Sequence, residues 1–537
     1  MPTHLSAFFK KASQLFPWLG AVLSGFLLFA AFPPLEWSDS VWIALVPLFI
    51  SAASVEPRRA LRLSYVAGLV FWVPSVFWVM YVTVPGWIGL ALYCAIYVVP
   101  FAAVVSWWVR RWGVESWSRN IVLMLIATAT WVGFEYLRSV LFTGFAWNTL
   151  GTALYKNLPL LQSARWGGVY AVTAIIVWAN AAVALTLMRF VRTRAGMARR
   201  AHPEIMLGLL AVVVALVQGL RSINRPESPT TPLRVAIVQA RTPQMDYYMP
   251  EKFASINQRL GELSHAALRV GEPDLIVWSE TAIPDELRSS FDSYELVYEI
   301  VTNGVPLLVG SMDTEWTDDG PRFYNSSFLV DTNGVVVKGY DKRHLVIFGE
   351  YVPLKNVFPF LSLVTPIQES FSPGRTSTVF RLESPPAAFS VLICFEDTVA
   401  SLARESVRNG ARLLINQTND GWFDAVTEPR QHMMQCVLRC VENNVPAVRA
   451  ANTGVSCYID RRGRVYDVLD DGEGNTFVSG FRTSTVHVPD DDMALTFYTR
   501  HGDLFAQLCA ALGLAAAGAA WTTSRGKREG KEAGADI

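Results

Sequence analysis

A carboxylate, an ammonium and a thiol each fall where an apolar, strand-like run of this 537-residue chain ends. Glu280 closes Leu275-Ile-Val-Trp-Ser-Glu280, Lys342 closes Val335-Val-Val-Lys-Gly-Tyr-Asp-Lys342, and Cys394 closes Ser390-Val-Leu-Ile-Cys394. If these ends share one edge of a sheet, the acid can take the thiol proton, the sulfur can attack an acyl carbon, and the fixed cation can hold the oxyanion. That set is sufficient for acyl transfer. A free thiol titrates at roughly 8.5; a nearby Lys⁺ lowers that value and a carboxylate can accept the proton. Taken singly, each residue has a plainer explanation, because cysteine is often simply buried, a lysine can be a solvated strand end, and a glutamate can cap a helix.

Positioning the three requires a layered α/β domain, and the second half of the chain is patterned for one. Strands are expected at 233–240, 274–280, 306–311, 389–394, 412–416, 447–451 and 456–460, and helices at about 251–270, 398–409 and 430–442. With 51% hydrophobic residues, 12% aromatics, 17% charged residues and a mean hydropathy of +0.28, the composition excludes a disordered chain and disfavours a wholly soluble one. A formal charge of zero argues against a nucleic-acid partner. That zero is an average of opposites. Residues 1–220 carry 16 Lys+Arg against six acids, and residues 221–537 carry 30 against 40.

The first half is built of apolar windows able to cross a hydrocarbon core of roughly 30 Å. They recur at about 17–34, 40–55, 63–84, 86–108, 121–142, 163–188 and 205–220, with an eighth at 504–521. The expectation is therefore a multi-pass α-helical membrane bundle of about eight spans plus an α/β extracytoplasmic domain. Residues 1–220 form the membrane domain with about seven spans, 221–502 the outer domain, 503–524 a last span and 525–537 a charged, disordered cytoplasmic tail. Cations collect before the first span (Lys10, Lys11) and after the second (Arg58, Arg59, Arg62), fourth (Arg110, Arg111, Arg119), sixth (Arg189, Arg192, Arg194, Arg199, Arg200) and eighth (Arg525, Lys527, Arg528, Lys531). Because loop Lys and Arg stay on the cytoplasmic side, both termini are expected there and the outer domain on the opposite side. Inside the bundle, Glu135 is an acid within a span, and Arg138, one turn later, is its expected ion-pair partner. The loop Phe142-Thr-Gly-Phe-Ala-Trp147 can anchor at the interface through Phe145 and Trp147 or line a lipid access route.

Six cysteines are expected as free thiols: Cys94 and Cys509 in spans, Cys394, Cys436, Cys440 and Cys457 outside. His432, Cys436 and Cys440 form an i, i+4, i+8 stripe that reads as a core-facing helix side rather than a metal site. No metal and no cofactor is expected.

The segments Trp278-Ser-Glu-Thr-Ala-Ile-Pro284, Tyr340-Asp-Lys-Arg-His-Leu-Val-Ile-Phe-Gly-Glu-Tyr-Val-Pro353 and Ile393-Cys-Phe-Glu396 resemble the Glu-Lys-Cys motifs of the nitrilase superfamily. Together with the spans and with Asn416-Gln-Thr-Asn-Asp-Gly-Trp-Phe423, Gln431-His432 and Asn452-Thr-Gly454, they resemble the apolipoprotein N-acyltransferase family. The resemblance covers roughly residues 15–520 and implies an αββα nitrilase-like sandwich on a membrane bundle. It implies Cys394 as nucleophile toward the sn-1 ester of a membrane phospholipid and Glu280 as general base. Lys342 and the Phe395 backbone N–H would be the oxyanion donors. The amine of a diacylated apolipoprotein would then attack the thioester. Glu350 would hold Lys342, and Glu396, Asn325, Gln244, Tyr248, Trp147 and Phe145 would lie near the substrates.

The implied setting is a bacterial inner membrane, with the enzyme a monomer. Phe395 where the family commonly has Tyr, Tyr248 where a Trp is common and Ile347 where a Pro is usual are departures that bear on substrate preference. The rival reading, a membrane-tethered amidase using water as acceptor, does not explain so many spans.

Overall fold

The computed structural model describes residues 2–192, 202–225, 228–352, 370–423 and 427–532. The chain divides into two compact units, one of residues 1–80, 84–222 and 503–537, the other of residues 81–83 and 223–502.

The second unit is a four-layer sandwich. Its first sheet contains β1 (Thr230–Gln239), β2 (Leu275–Trp278), β3 (Leu307–Thr317), β4 (Gly320–Val330) and β5 (Val336–Asp341). Its second contains β6 (Phe380–Glu383), β7 (Pro386–Ile393), β8 (Leu413–Thr418), β9 (Ala447–Ala451), β10 (Cys457–Ile459) and β11 (Val465–Tyr466), and β12 (Gly480–Pro489) returns to the first. The strand orders are β12-β1-β2-β3-β4-β5 and β11-β10-β9-β8-β7-β6. In each sheet three neighbouring strands run parallel, β1-β2-β3 and β7-β8-β9.

The sequence dictates this layering. Alternate residues of β1 face opposite ways, and both sets are apolar, as expected of a strand covered on both faces. Leu233, Val235 and Ile237 join Val277, Tyr340, Phe389, Val391, Ile415 and Val448 in the core between the sheets. Ala236 and Val238 join Trp278, Val309 and Phe328 beneath the helices Phe253–Gly271 and Phe291–Val301. Helices Ala400–Arg408 and Glu428–Asn443 belong to the second sheet's side of the chain. The Tyr458 hydroxyl stitches the sheets together by donating to the carbonyls of Val235 (2.7 Å) and Arg482 (2.6 Å). All seven expected strands and all three expected helices are present; among the described residues β4, β5, β6, β11, β12 and the helices Phe291–Val301 and Phe497–His501 are additional, β5 being the strand-like run before Lys342.

The first unit is helical. Among the described residues, Val84–Trp112, Trp117–Thr143, Val169–Val191, Pro203–Ile223 and Leu504–Thr522 are helices long and apolar enough to cross a membrane. Of the eight expected spans, those at 17–34 and 40–55 correspond to the shorter apolar helices Gln14–Ala30 and Ser38–Ser54. The one at 63–84 is a helix starting earlier, Pro57–Ser75, which takes in Arg58, Arg59 and Arg62 and gives way after Pro74 to the 3₁₀ turn Phe77–Tyr81. The last helix does not stop at 524 but continues to Glu532; residues 533–537 of the expected tail, and Arg194, Arg199 and Arg200 of the cationic loop, lie outside the described residues.

Small residues bring two spans together. A Cβ on Gly133 would come within 2.5 Å of the Ala510 Cα, and one on Gly513 within 2.9 Å of the Thr130 Cα. Such close backbone approach is how helices associate where no hydrophobic effect drives them. Some polar groups are matched within these helices, where an unpaired one is costly. Buried Glu204 accepts from Arg189 Nη1 (2.8 Å) and Asn120 Nδ2 (2.7 Å).

Glu135 is held differently from expectation, for it forms no ion pair with Arg138. Its carboxylate accepts from Trp131 Nε1 (3.1 Å), the Leu150 N–H (2.8 Å) and Thr173 Oγ1 (3.0 Å). Arg138 Nη1 donates to the carbonyls of Phe145 (2.5 Å) and Trp147 (2.7 Å), and its guanidinium lies 4.6 Å from the Trp72 ring centroid. The turn Phe145–Trp147 is thus pinned from within. Trp147 is buried, stacked on Phe145 and tilted against Trp78, which does not suit an interfacial anchor.

Candidate active site

Parallel strands place their C-terminal ends on one edge, where sites in α/β sheets form. β5 runs parallel to β2 and β3, because β4 is antiparallel to both of its neighbours. Glu280 follows the end of β2, Lys342 that of β5 and Cys394 that of β7. Neither plainer explanation of the first two holds, since Lys342 is 1% exposed and Glu280 caps no helix.

Lys342 Nζ lies 2.7 Å from Glu350 Oε1 and 3.5 Å from Glu280 Oε1. Asn325 Nδ2 donates to the same Glu280 oxygen (2.7 Å), and the Val346 N–H holds the other oxygen of Glu350 (2.8 Å). Burial opposes the lysine's charge, but Glu350 and Glu280 outweigh it and keep the ammonium charged well above the usual lysine range. Burial raises the Glu280 carboxyl, against the pull of Lys342 and Asn325.

Cys394 sits at φ +51°, opening a 3₁₀ turn that runs to Thr398. A non-glycine residue held there costs about 1–3 kcal/mol in backbone strain. Burial, reinforced by Glu280, pushes its thiol up to about 12, while Lys342, His432 and a hydrogen bond with Thr418 oppose the rise. The lysine therefore does not pre-ionise the sulfur, as its charge alone suggested. Burial thus favours the neutral thiol, and a carboxylate close by is a group able to take its proton.

Glu396 is wholly buried. Its carboxylate accepts from the Tyr340 hydroxyl (2.9 Å) and from the N–H groups of Arg343 (2.7 Å), His344 (3.0 Å) and Ile393 (2.8 Å). It straps the loop after Lys342 to the strand before Cys394. His344 stacks on Phe395 with centroids 5.9 Å apart, and burial together with Lys342 lowers its imidazole. Gln244 accepts from Asn419 Nδ2 (2.8 Å), and Tyr248 is exposed in the same short 3₁₀ segment. Phe145 and Trp147 belong to the helical unit. Pro353 of the lysine motif lies outside the described residues.

Sequence reasoning did not assign roles to Asn416, Thr418 or Arg449. The available signal was Asn416-Gln-Thr418, three polar residues wholly buried in a strand beside the nucleophile's own. Asp420, Glu428 and His432 bring three ligand-type atoms together, but Arg449 Nη2 lies 2.9 Å from both Asp420 Oδ2 and His432 Nδ1. A guanidinium already supplies the cation. All six cysteines are free thiols.

A two-sheet α/β sandwich with glutamate, lysine and cysteine at one edge is a carbon–nitrogen hydrolase domain, and residues 234–491 match the family model of that description. Residues 24–182 match the model of the apolipoprotein N-acyltransferase N-terminal domain. The chain belongs to the apolipoprotein N-acyltransferase family. It is 36% identical over 510 residues to the apolipoprotein N-acyltransferase of Geobacter metallireducens, covering 92% of this chain and 93% of that one. With that of Rhodopseudomonas palustris it shares 30% over 508 residues, covering 90% and 89%. Among solved structures, Saccharomyces cerevisiae Nit3, of the nitrilase superfamily, aligns at TM-score 0.36 and 19% identity over 49% of this chain and 93% of its own.

Proposed function

We propose that the protein transfers an acyl chain from a membrane phospholipid to the N-terminal amine of a diacylglyceryl-cysteine apolipoprotein, through a thioester on Cys394. The observation carrying this reading is the buried Glu280–Lys342–Glu350 cluster beside the Cys394 thiol, in a chain that also carries apolar helices of spanning length.

In the first step Glu280 takes the thiol proton as sulfur attacks the sn-1 ester carbon. Lys342 Nζ and the Phe395 N–H hold the oxyanion. Collapse expels the glyceryl alkoxide, which recovers the proton from Glu280 and leaves as lysophospholipid. In the second step the acceptor amine attacks the thioester, passing its proton through Glu280 to the departing thiolate. Removing one oxyanion donor from such a site costs about 2.7–4 kcal/mol in the barrier. Asn325 tunes Glu280, and Glu350 fixes Lys342. Trp147, Phe145, Gln244 and Tyr248 are proposed to contact the acyl substrates.

A membrane setting suits both substrates, because each buried CH₂ is worth about 0.8 kcal/mol. The loop cations support an inner-membrane protein with both termini cytoplasmic and residues 221–502 outside. One chain carries the whole set of reacting groups, consistent with a monomer.

The test is to incubate purified protein with labelled phospholipid. Wild type should gain one acyl mass on Cys394 that hydroxylamine removes and a diacylated lipopeptide accepts, whereas Cys394→Ser should form no thioester. A wild type that stays unmodified and acylates no lipopeptide would sink the reading.

A further inference from the structure

The peptide unit joining Cys394 to Phe395 is gripped from one side. Its carbonyl oxygen accepts from Asn416 Nδ2 (3.1 Å) and His432 Nε2 (3.2 Å). A trans peptide is planar, with its N–H pointing opposite to its C=O. Whatever fixes that oxygen therefore aims the Phe395 N–H the other way, out of the buried cluster. Nothing in the backbone turn itself does this job, because Cys394 lies at φ +51°, where an L-residue persists only if its surroundings over-determine it.

Neither donor is loose. Asn416 Oδ1 accepts from Arg449 Nη1 (2.6 Å), which turns the amide so that its NH₂ faces the Cys394 and Leu392 carbonyls. His432 Nε2 also lies 2.9 Å from Asp397 Oδ1, and its Nδ1 faces Arg449 Nη2 (2.9 Å), Asp420 Oδ1 (3.2 Å) and Glu428 Oε1 (3.4 Å). Arg449, wholly buried, also ties Asp397 (3.2 Å) to Asp420 (2.9 Å). The cluster is thus a rigid charged block behind the nucleophile, in a medium where chained hydrogen bonds polarise one another.

We propose that Asn416 and His432 are positioning residues that aim and polarise the Phe395 N–H, building the second oxyanion donor from behind. The inference rests on the thioester chemistry proposed above, and the experiment separates the two. Alkylation of Cys394 by iodoacetamide displaces iodide at a tetrahedral carbon and forms no oxyanion, whereas acylation does. Both rates are read on the full-length, detergent-solubilised protein by intact mass, with Cys394→Ser as background for the other thiols.

In Asn416→Leu, acylation should fall about 10²- to 10³-fold while alkylation stays within about fivefold; in His432→Leu, which also removes a group that favours the thiolate, alkylation falls as well but acylation falls at least about tenfold further. His432→Gln, which keeps an N–H donor, should recover part of the loss. A parallel fall in both rates, or no fall in acylation, overturns the proposal. If wild type takes no acyl group from phospholipid, the parent reading fails. The clamp is then judged on the acylation burst with a p-nitrophenyl ester, where the same oxyanion forms and the same separation of rates is required.

Discussion

Lys342 Nζ stands 0.8 Å closer to Glu350 than to Glu280, at 2.7 Å against 3.5 Å. The lysine's charge is thus answered chiefly by Glu350, the acid given no proton-transfer step in the proposed mechanism. Glu280, with the weaker contact and raised by burial, is the carboxylate left to act as base in the proposed mechanism. Two carboxylates share one ammonium, and their distances divide the roles.

Glu350→Gln tests that division. Lys342 would then turn to Glu280, whose carboxyl also loses the repulsion of Glu350, so its titration moves down and it becomes a poorer base. Acylation should fall by roughly 10- to 100-fold, part of the 10²–10⁴ a general base supplies. The acid limb of the pH–rate profile should move to lower pH. A fall in rate with an unmoved limb would mean that Glu350 only holds the loop at Val346.

Asn325→Leu acts on Glu280 in the opposite direction. The amide donates to the charged carboxylate at 2.7 Å and so favours ionisation. Without it, burial raises Glu280 further. The reaction needs the carboxylate, so its acid limb should move to higher pH, with activity lost at neutral pH and largely recovered in alkali. A uniform loss at every pH would exclude this tuning role.

Glu280 and Cys394 were legible because they end strands buried on both faces, the apolar runs 275–278 and 389–393, whereas Lys342 ends the largely exposed β5 and was secured by the resemblance. What lies behind Cys394 was not legible, because Arg449 meets Asp397, Asn416 and Asp420 across 52, 33 and 29 positions, with no local spacing to betray them. β12 escaped notice because an edge strand carries Arg482, Thr483, Ser484 and Thr485, which read as loop. The one-turn spacing of Glu135 and Arg138 misled, because Trp131 and two donors from other segments satisfy the acid. Glu396 was placed by the resemblance alone, and a Cys-x-Glu spacing does not reveal that its carboxylate binds the Tyr340 hydroxyl and backbone N–H groups.

Glu428 gives a stability prediction. Burial, with Asp420 beside it, raises its carboxyl to about 8. Between the ordinary carboxylate value near 4.3 and 8, the folded state holds a proton that the unfolded state has lost. Its stabilising contribution is therefore complete below the lower value and disappears as pH rises through the upper one. Glu428→Gln cannot titrate, so its melting temperature should fall less than that of wild type between pH 6 and pH 9. Equal falls would place the pH sensitivity elsewhere.

Gly310 connects the sheet directly to the general base. Its residue packs under the turn at Glu280, and a Cβ there would strike the Ser279 carbonyl and lie 2.8 Å from the Thr281 nitrogen and 2.9 Å from the Glu280 Cα. These are backbone atoms, which cannot swing aside. The Ala282 N–H donates to the Gly310 carbonyl (2.9 Å), so β3 and the turn must move together or part. Gly310→Ala should therefore push Glu280 outward by a fraction of an ångström, lengthening its reach to Asn325 and the thiol. Overpacking of this kind costs about 1–3 kcal/mol in stability, and a misplacement of about 1 Å at a reacting group costs about 10²-fold in rate. Thermal unfolding and the acylation rate, measured together, should show a modest loss of the first and a large loss of the second. If stability falls while the rate per folded molecule holds, the close approach of β3 supports the fold alone.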